Sequence, residues 1–427
     1  MTLALGRSAR PEPGGGTAPL ALIERDRRWT ARASTIAGVQ AELSRIWSRA
    51  ALEETAEGLS EKELAAGRGD PHLAGRFDER GDVRVRTRTS VLTLVVMAQR
   101  PETVERALDA VNALATRHPS RAVVLAPGDP DGPTRVDARI FCQCTLSERG
   151  GSETCTEQIL LNCAGEVDQH LAELAMPLLI HDLPVVVWWP DEPPIGRQVF
   201  HDLCQLGDRI LVDSGGFRDD GARHLAGLAE VIAAGHPTVH DIAWMRLTLW
   251  RELVAGLFDH PLLAPELGAV RSVHVDVSRP GAATRLTRAA LFVGWLAAAL
   301  GWQLEAPLVA RRGSDEQVAT YRAGRQAISV VVRPVPPGDD RHLRSAGSLV
   351  RAELGLGRRG HDVRARVTRH ADHLLATADW QGAQVSRRAG RLELFGEAPY
   401  LGEALDRSGR DRVFERAVAA ATRLLVA

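Results

Sequence analysis

The stretch that decides the fold runs from residue 91 to 127 and reads VLTLVVMAQRPETVERALDAVNALATRHPSRAVVLAP. It opens with a near-continuous apolar run at 91–98, which is typical of a strand buried on both faces. Residues 102–116 then place their apolar side chains on one helical stripe, and 121–127 form a second apolar run. A strand, a helix and a strand in this order predict two parallel strands joined by a right-handed crossover.

An antiparallel insertion follows this unit. The segments RVDARIFCQCTL (135–146) and SETCTEQILLNCAG (152–165) flank a Gly-containing turn, and we expect them to form a hairpin. Helices and strands then resume. The most regular helical pattern covers residues 239–259, after a T-x-x-D start signal at Thr238 and Asp241.

These patterns predict three parts of the chain. Residues 1–82 are expected to be an N-terminal extension with a mobile start and a helix over 30–56. Residues 83–268 are expected to form an α/β domain, a mostly parallel sheet with helices on both faces plus the antiparallel hairpin. Residues 269–427 are expected to form an α+β domain whose strands make an antiparallel meander, with a strongly apolar helix over 282–301.

The overall composition excludes several protein classes. The 427 residues are 44% hydrophobic and carry 53 basic and 54 acidic side chains, for a net charge of −1. This balance disfavours intrinsic disorder, and without a basic surplus we expect no nucleic-acid partner. The longest apolar run, residues 289–302, is shorter than the roughly 18 residues of a membrane-spanning helix. We therefore expect no membrane partner, a cytoplasmic location and five reduced cysteines.

A search for catalytic and cofactor motifs gives one weak match. Gly355, Gly357 and Gly360 spell G-x-G-x-x-G, but a dinucleotide site needs this motif between a strand and a helix. The residues that follow, HDVRARV, alternate like a strand, so we interpret the glycines as a hairpin turn. We expect no cofactor, no metal and no catalytic residue.

Four cysteines lie on the predicted hairpin: Cys142, Cys144, Cys155 and Cys163. If the hairpin turns about residues 149–150, Cys144 and Cys155 come nearly opposite one another, roughly 4.5–5.5 Å apart at Cβ. That separation is close to disulfide reach. Two interpretations stay open, a set of small buried thiols and a redox-sensing pair of Cys144 and Cys155. The spacing does not match a zinc knuckle.

Four tryptophans are candidates for a contact surface. Trp188 and Trp189 end an apolar strand and precede Pro190, whereas Trp244 and Trp250 lie on the long helix predicted after them. Tryptophan is enriched at interface hot spots, and open α/β sheets bind ligands at the carboxyl ends of their strands. The alternative is ordinary core packing. An exposed apolar patch around these side chains would support the interface, and complete burial would remove it.

Several of these segments together resemble a known family. HPSR (118–121), the cysteine-bearing hairpin, LPVVVWWPDEPP (183–194) and DIAWMRLTLWRELVAGLFD (241–259) are similar in order and spacing to the OpcA family. Its members are the glucose-6-phosphate dehydrogenase assembly proteins of actinobacteria and cyanobacteria. The resemblance implies a non-catalytic partner that promotes the oligomeric assembly of that dehydrogenase and activates it. In photosynthetic members this activation is linked to thiol redox state.

A second hypothesis is a sugar-phosphate-binding enzyme of isomerase or lactonase type, because an α/β fold does not by itself exclude one. It predicts a deep pocket at the carboxyl ends of the first-domain strands. Arginine and histidine side chains with perturbed pKa values would converge there. A vestigial version of such a fold would only sense a sugar phosphate.

Overall fold

The computed structural model describes residues 27–56, 90–145, 154–218, 221–281, 284–337, 346–357, 361–392 and 396–425. The expected mobile start, the turn at 149–150 and Gly360 lie outside these ranges. No helix in the described ranges is both long and apolar enough to cross a membrane.

The described strands are β1 (Arg27–Ala33), β2 (Leu92–Met97), β3 (Ser120–Pro127), β4 (Arg135–Thr145), β5 (Thr154–Ala164), β6 (Val185–Trp189), β7 (Arg209–Val212), β8 (Thr238–Asp241), β9 (Val270–Ser278), β10 (Gln303–Ala310), β11 (Gln317–Ala323), β12 (Gln326–Val335), β13 (Leu349–Leu356), β14 (Val363–Arg369), β15 (His373–Trp380) and β16 (Ala383–Arg391). The described α-helices are α1 (Ile36–Ala56), α2 (Pro101–Leu114), α3 (Leu171–Ala175), α4 (Gln198–Leu206), α5 (Gly221–Ala234), α6 (Ile242–Arg246), α7 (Thr248–Leu257), α8 (Thr287–Leu300), α9 (Glu397–Asp406) and α10 (Arg412–Leu425).

The first sheet has the order β1-β4-β5-β3-β2-β6-β7-β8. Strands β5, β3, β2, β6, β7 and β8 are parallel, and β4 and β1 extend the β5 edge as antiparallel strands. Strands β2 and β6 are buried along their whole lengths, as their continuous apolar sequences predicted. The six parallel strands follow the doubly wound order 3-2-1-4-5-6, whose crevice opens between β2 and β6.

The second sheet has the order β10-β11-β12-β9-β13-β14-β15-β16. Strands β13 to β16 form an antiparallel meander as predicted. The prediction is wrong for β12, expected as the first strand of that meander, because β9 lies between β12 and β13 and pairs with β12 in parallel. The apolar side of the sheet, for example Ala352, Leu354 and Leu356 of β13, is buried. An α/β sheet followed by a mainly antiparallel α+β sheet confirms the predicted fold class.

The helix predicted over 239–259 is wrong at its start. Thr238–Asp241 is strand β8, and Asp241 then caps α6 by accepting a hydrogen bond from the Ala243 amide at 2.9 Å. The helix is also interrupted at Leu247 before α7 begins. Strand β8 has only four residues and directly precedes a helical pattern in the sequence. A segment this short gives no periodic signal of its own, so it was assigned to the helix.

Three further elements differ from the expectations. The segment predicted as a helix over 30–56 begins with strand β1, and helix α1 starts only at Ile36. Strand β11 and helix α9 have no counterpart in the sequence-based assignment. The glycine motif lies between antiparallel strands: Gly355 is within β13, and Gly357, with φ of +131°, follows its end. The described part of the motif therefore confirms a hairpin rather than a dinucleotide-binding turn.

The C-terminal helices join the two sheets. Leu401 and Leu405 of α9 pack in one cluster with Ala107 and Val111 of α2, beside the first sheet. Helix α10 lies so close to α8 that a Cβ on Gly294 would be 2.5 Å from the Ala417 carbonyl oxygen. The second sheet is thereby held over the carboxyl edge of the first.

Candidate functional site

A cavity of about 550 Å³ lies at the carboxyl edge of the first sheet, where the second sheet and α9 cover it. It is lined by Gln99, Arg100, Arg106, Pro190, Asp191, Glu192, Asp213, Gly215, Gly216, Arg218, Arg246, Trp250, Arg285, Arg288, Ser348, Arg369, Leu392, Glu397 and Tyr400. Seven arginines and four carboxylates are in this lining, which leaves a positive excess. No described histidine lines the cavity.

The crevice between β2 and β6 is filled by the chain's own carboxylate. Asp191, just after β6, accepts hydrogen bonds from the Gln99 amide at 3.1 Å and from the Thr103 hydroxyl at 3.0 Å. Arg100 forms an ion pair with the same carboxylate, which raises the pKa of the Arg100 guanidinium. Pro101 begins α2 in this turn, which has no glycine. In a dinucleotide-binding fold the pyrophosphate occupies this helix N-terminus.

A second group of ionised side chains follows β7 and β8. Asp213 forms an ion pair with Arg246 and accepts a hydrogen bond from the Gly215 amide at 3.1 Å. Burial raises the pKa of the Asp213 carboxyl, but the positive charges of Arg246 and Arg288 lower it by more. The pKa of Asp213 is therefore below its ordinary value. The Asp241 carboxylate accepts two hydrogen bonds from Ser214, one from its amide at 3.0 Å and one from its hydroxyl at 2.6 Å. Burial, together with the charge of Asp213, raises the pKa of Asp241 to about 6.

Helix α8 contributes Arg288 to the cavity lining, next to Asp213 and Gly215. Arg288 donates through Nη1 to the Ser348 hydroxyl at 3.0 Å, and its Nε lies 2.3 Å from the position that a Cβ on Gly215 would take. A side chain at residue 215 would therefore displace this guanidinium. Burial lowers the pKa of Arg288 to about 10, and the nearby Arg246 and Arg285 also lower it.

Helix α9 supplies the opposite wall. Glu397 accepts a hydrogen bond from Arg106 at 2.8 Å, and burial raises the pKa of Glu397. Tyr400 lies 5.1 Å from the Arg246 guanidinium, in cation–π contact, and burial raises the pKa of its hydroxyl. Helix α9 thus lines the cavity with a carboxylate and a phenol oxygen, and both are close to arginines.

The predicted tryptophan surface is wrong. Trp188 and Trp189 are 0% exposed, Trp244 is 2% exposed and Trp250 is 3% exposed. The first two pack inside the first sheet because β6 is central to it, and Trp244 also donates to Asp411 at 2.9 Å. Of these candidates only Trp250 and the half-buried Pro190 line the cavity.

The predicted register of the cysteine hairpin is confirmed. Cys144 and Cys155 are cross-strand partners of β4 and β5, with Cα atoms 4.0 Å apart, and their sulfur atoms are bonded. The expectation that all five cysteines are reduced thiols is therefore wrong for this pair. Cys142, Cys163 and Cys204 are buried outside the disulfide. Burial raises the pKa of the Cys204 thiol to about 12.

Polar side chains of the HPSR segment and of α1 stabilise the fold and do not line the cavity. Arg121 of the HPSR segment pairs with the buried Glu157 at 2.5 Å and donates to the Leu178 carbonyl at 2.8 Å. Trp47 of α1 donates to the other Glu157 oxygen at 2.6 Å. Within the described ranges, no group of three or more His, Cys, Asp or Glu side chains is placed to hold a metal ion.

Most residues of the cavity were not identified from the sequence. A usable signal was present, since Gln99–Arg100, Pro190–Glu192 and Asp213–Gly216 all follow apolar strands of a predicted parallel sheet. The carboxyl ends of such strands meet at one edge. Arg288 and Arg369 come from α8 and β14, and no local pattern places them beside that edge.

Comparisons with known proteins agree across most of the chain. Residues 111–230 match the family model for the glucose-6-phosphate dehydrogenase subunit N-terminal domain, and residues 237–418 match that for its C-terminal domain. A Nostoc punctiforme protein, provisionally named OxPP cycle protein OpcA, is 31% identical over 44% of this chain and 40% of its own length. A protein of the same name from Synechococcus elongatus is 28% identical over 53% of this chain and 50% of its own length. The matches thus span about half or less of these relatives.

Solved structures give a weaker likeness. The WlbA dehydrogenase of Thermus thermophilus aligns with a TM-score of 0.40 and 12% identity, over 78% of this chain and 93% of its own. A TM-score this low does not establish a shared fold or activity. The two family models, in their order along the chain, and the curated relatives identify this chain as a member of the OpcA family.

Proposed function

We propose that this chain is a non-catalytic partner of glucose-6-phosphate dehydrogenase, which promotes the oligomeric assembly of that enzyme and activates it in the oxidative pentose phosphate pathway. The observation that carries the proposal is the match of both halves of the chain to domains described as those of a glucose-6-phosphate dehydrogenase subunit. The site of action would be the cytoplasm, where this pathway operates.

The geometry of the first sheet supports a binding role over dehydrogenase chemistry of its own. Although the strand order suits a dinucleotide, the Asp191 carboxylate occupies the N-terminus of α2 where a pyrophosphate would bind. A second anion there would meet that carboxylate at close range. Pro101 and Arg100 also replace the glycines that let a pyrophosphate approach the backbone.

Activation follows from differential affinity. If this chain binds the assembled, active form of the dehydrogenase more tightly than the inactive form, binding shifts the population toward the active form. A difference of about 1–3 kcal/mol between the two affinities corresponds to roughly 5- to 150-fold coupling.

The same proposal includes a response to thiol redox state through Cys144 and Cys155. A dithiol reductant would donate two electrons and two protons, convert the Cys144–Cys155 disulfide into two thiols and itself become a disulfide. The bond joins β4 to β5 next to residues 146–153, so its reduction would loosen that end of the hairpin.

Enzyme assays test the proposal. The dehydrogenase from the same organism is assayed at fixed concentration against increasing amounts of this chain. We expect a saturable increase in its rate, with no dehydrogenase activity of the chain alone. The titration is repeated with reductant and with Cys144→Ser, and a rate increase that is identical in all three conditions would refute the redox response. A rate that is unchanged throughout would refute the partner assignment.

A further inference from the structure

The charges around the cavity do not cancel. Three of its arginines have carboxylate partners within the lining, in the pairs Arg100–Asp191, Arg106–Glu397 and Arg246–Asp213. Arg218 and Arg285, by contrast, form no ion pair with any carboxylate among the described residues. Arg285 also lies near the buried Arg288, whose guanidinium it repels. An anion placed between these guanidinium groups would offset their mutual repulsion.

We propose that this cavity binds a small phosphorylated sugar or sugar acid. The phosphate would lie against the arginines at the start of α8, Arg285 and Arg288, with Arg218 at the rim. The hydroxyl groups would face Glu397 and Tyr400 on α9.

The donor set favours a phosphate beside Arg285 and Arg288, because the nearby Asp213 carboxylate is already paired with Arg246. Guanidinium groups present paired N–H donors that match phosphate oxygens, and several guanidinium groups in one place suit a dianion better than a monoanion. Gly215 allows the Arg288 guanidinium to reach this wall, because any side chain there would overlap its Nε. The amides of Ser214, Gly215 and Gly216 are already hydrogen-bonded to Asp241 and Asp213, so the guanidinium groups are the donors for the phosphate.

The surroundings of Glu397 and Tyr400 suit uncharged hydroxyl groups. A phosphate beside Glu397 would be repelled by its carboxylate, whereas a sugar hydroxyl can donate to it. The Tyr400 hydroxyl can both donate and accept, and Trp250 and Leu392 supply apolar surface for a carbon skeleton. A volume of about 550 Å³ is in the usual range for small-molecule sites.

A dinucleotide is a poorer fit for the same cavity. Its pyrophosphate would have to lie at the α2 N-terminus, which Asp191 already fills. The inference goes beyond the proposed function and does not rest on it, because binding is a property of this chain alone. Its test therefore needs no dehydrogenase, and its failure would leave the assembly proposal standing.

Isothermal titration calorimetry on the full chain tests the inference. The probes are glucose 6-phosphate, 6-phosphogluconate, glucose, inorganic phosphate and NADP⁺, each at low and at high salt. We expect one site per chain for at least one of the two phosphorylated probes and no detectable binding of glucose. Binding should weaken at high salt, because the contacts are charged.

Two matched variants locate the site. Arg285→Ala removes a guanidinium that has no ion pair among the described residues, so the fold should tolerate the change, and a thermal melt checks this. We expect the affinity to fall at least tenfold. Arg325→Ala is the control, because it removes the same charge from the exposed β11–β12 turn. The turn is far from the cavity. The ten residues of β12 separate it from Val335 by roughly 30 Å, and Val335 pairs with Ser278, which is hydrogen-bonded to the cavity residue Ser348.

Three results would overturn the inference. The first is no binding of either phosphorylated sugar at millimolar concentration. The second is equal loss of affinity in Arg285→Ala and Arg325→Ala, which would indicate general charge attraction. The third is binding of inorganic phosphate or NADP⁺ as tight as that of the sugar phosphates, which would remove the role of Glu397 and Tyr400.

Discussion

At the level of single residues, Asp191 connects the fold to the cavity. Its carboxylate joins the end of β6 to the start of α2 through the Gln99 amide, the Thr103 hydroxyl and Arg100. Carboxylates at a helix N-terminus are stabilised by the amide groups that have no partner within the helix. Asp191 therefore both holds the crevice closed and keeps other anions out of it.

Replacing Asp191 by Asn keeps the shape and removes the charge. We expect the free energy of unfolding to fall by about 1–3 kcal/mol, because two hydrogen bonds to a buried carboxylate and its ion pair with the half-exposed Arg100 are weakened. Urea denaturation measures this. Asp137→Asn, on the exposed side of β4, is the control and should change the stability by less than about 0.5 kcal/mol. Equal effects of the two substitutions would contradict the role of Asp191.

His240 gives a prediction of pH dependence. Burial lowers the pKa of this buried residue from 6.5 to about 4, with help from Arg209 and Arg407 and against the charge of Asp411. Between pH 6.5 and 4 the unfolded chain binds a proton here that the folded chain does not, so folding stability is lost as the pH falls.

His240→Gln removes this proton linkage. We expect the stability of the variant, relative to that of the unmodified chain, to increase by about 2–3 kcal/mol between pH 7 and pH 4. Denaturation curves at several pH values measure the difference. A difference between the two proteins that stays constant with pH would show that His240 does not titrate as the structure indicates.

The sequence allowed some of these residues to be predicted and not others. The segment LPVVVWWPDEPP was recognisable as a buried strand that ends at Trp189, so the residues after it, Asp191 among them, were expected at the carboxyl edge of the sheet. Its partners could not be predicted, because they depend on which strand lies beside β6. The tryptophans were misassigned since an apolar side chain at the end of a central strand and one at an interface look the same in sequence.

Among the secondary-structure elements, the β4–β5 hairpin carries a covalent link. The disulfide of Cys144 and Cys155 closes a segment with a sequence separation of 11. Restricting the unfolded chain by a loop of this size contributes about 2–3 kcal/mol of stability.

Reduction of this bond should therefore be visible in unfolding. We expect dithiothreitol to lower the free energy of unfolding of the chain by about 2–3 kcal/mol. The double variant Cys144→Ser, Cys155→Ser should unfold at one denaturant midpoint with or without the reductant. Identical midpoints for the unmodified chain under both conditions would contradict the disulfide.

Helix α1 and strands β3 and β5 meet at Glu157, which is fully buried and bonded to Arg121 and Trp47. In Glu157→Gln the buried Arg121 loses its counter-charge, and we expect a loss of about 3–5 kcal/mol in stability. Chemical denaturation measures it, and Glu173→Gln on the surface is the control. A loss below about 1 kcal/mol would show that the pair is not structurally important.

The long apolar strands and the meander were predictable because their periods differ from that of a helix over many residues. Strand β8 could not be predicted, because its four residues continue directly into the helical pattern that follows. Strand β1 also preceded a strong helical repeat and was absorbed into it. These errors lie at boundaries, where tertiary pairing decides the structure and local sequence does not.

For the whole molecule, the arrangement of the two sheets creates the cavity. The first sheet supplies the carboxyl ends of β2, β6 and β7, and the second sheet and α9 close over them. The sequence predicted both sheets and, under the sugar-phosphate hypothesis, a pocket at this edge lined by arginine and histidine side chains. The arginines are there, but no described histidine lines the cavity. The sequence did not predict that α9 returns to α2, because that contact joins segments almost 300 residues apart.

The central claim is that this chain assembles with glucose-6-phosphate dehydrogenase, and light scattering coupled to size-exclusion chromatography tests it most directly. The two purified proteins from one organism are run alone and mixed, with enzyme activity measured across the peak. The account predicts a species larger than either protein alone that contains both and has the higher specific activity. Two separate peaks with unchanged masses and unchanged activity would contradict it.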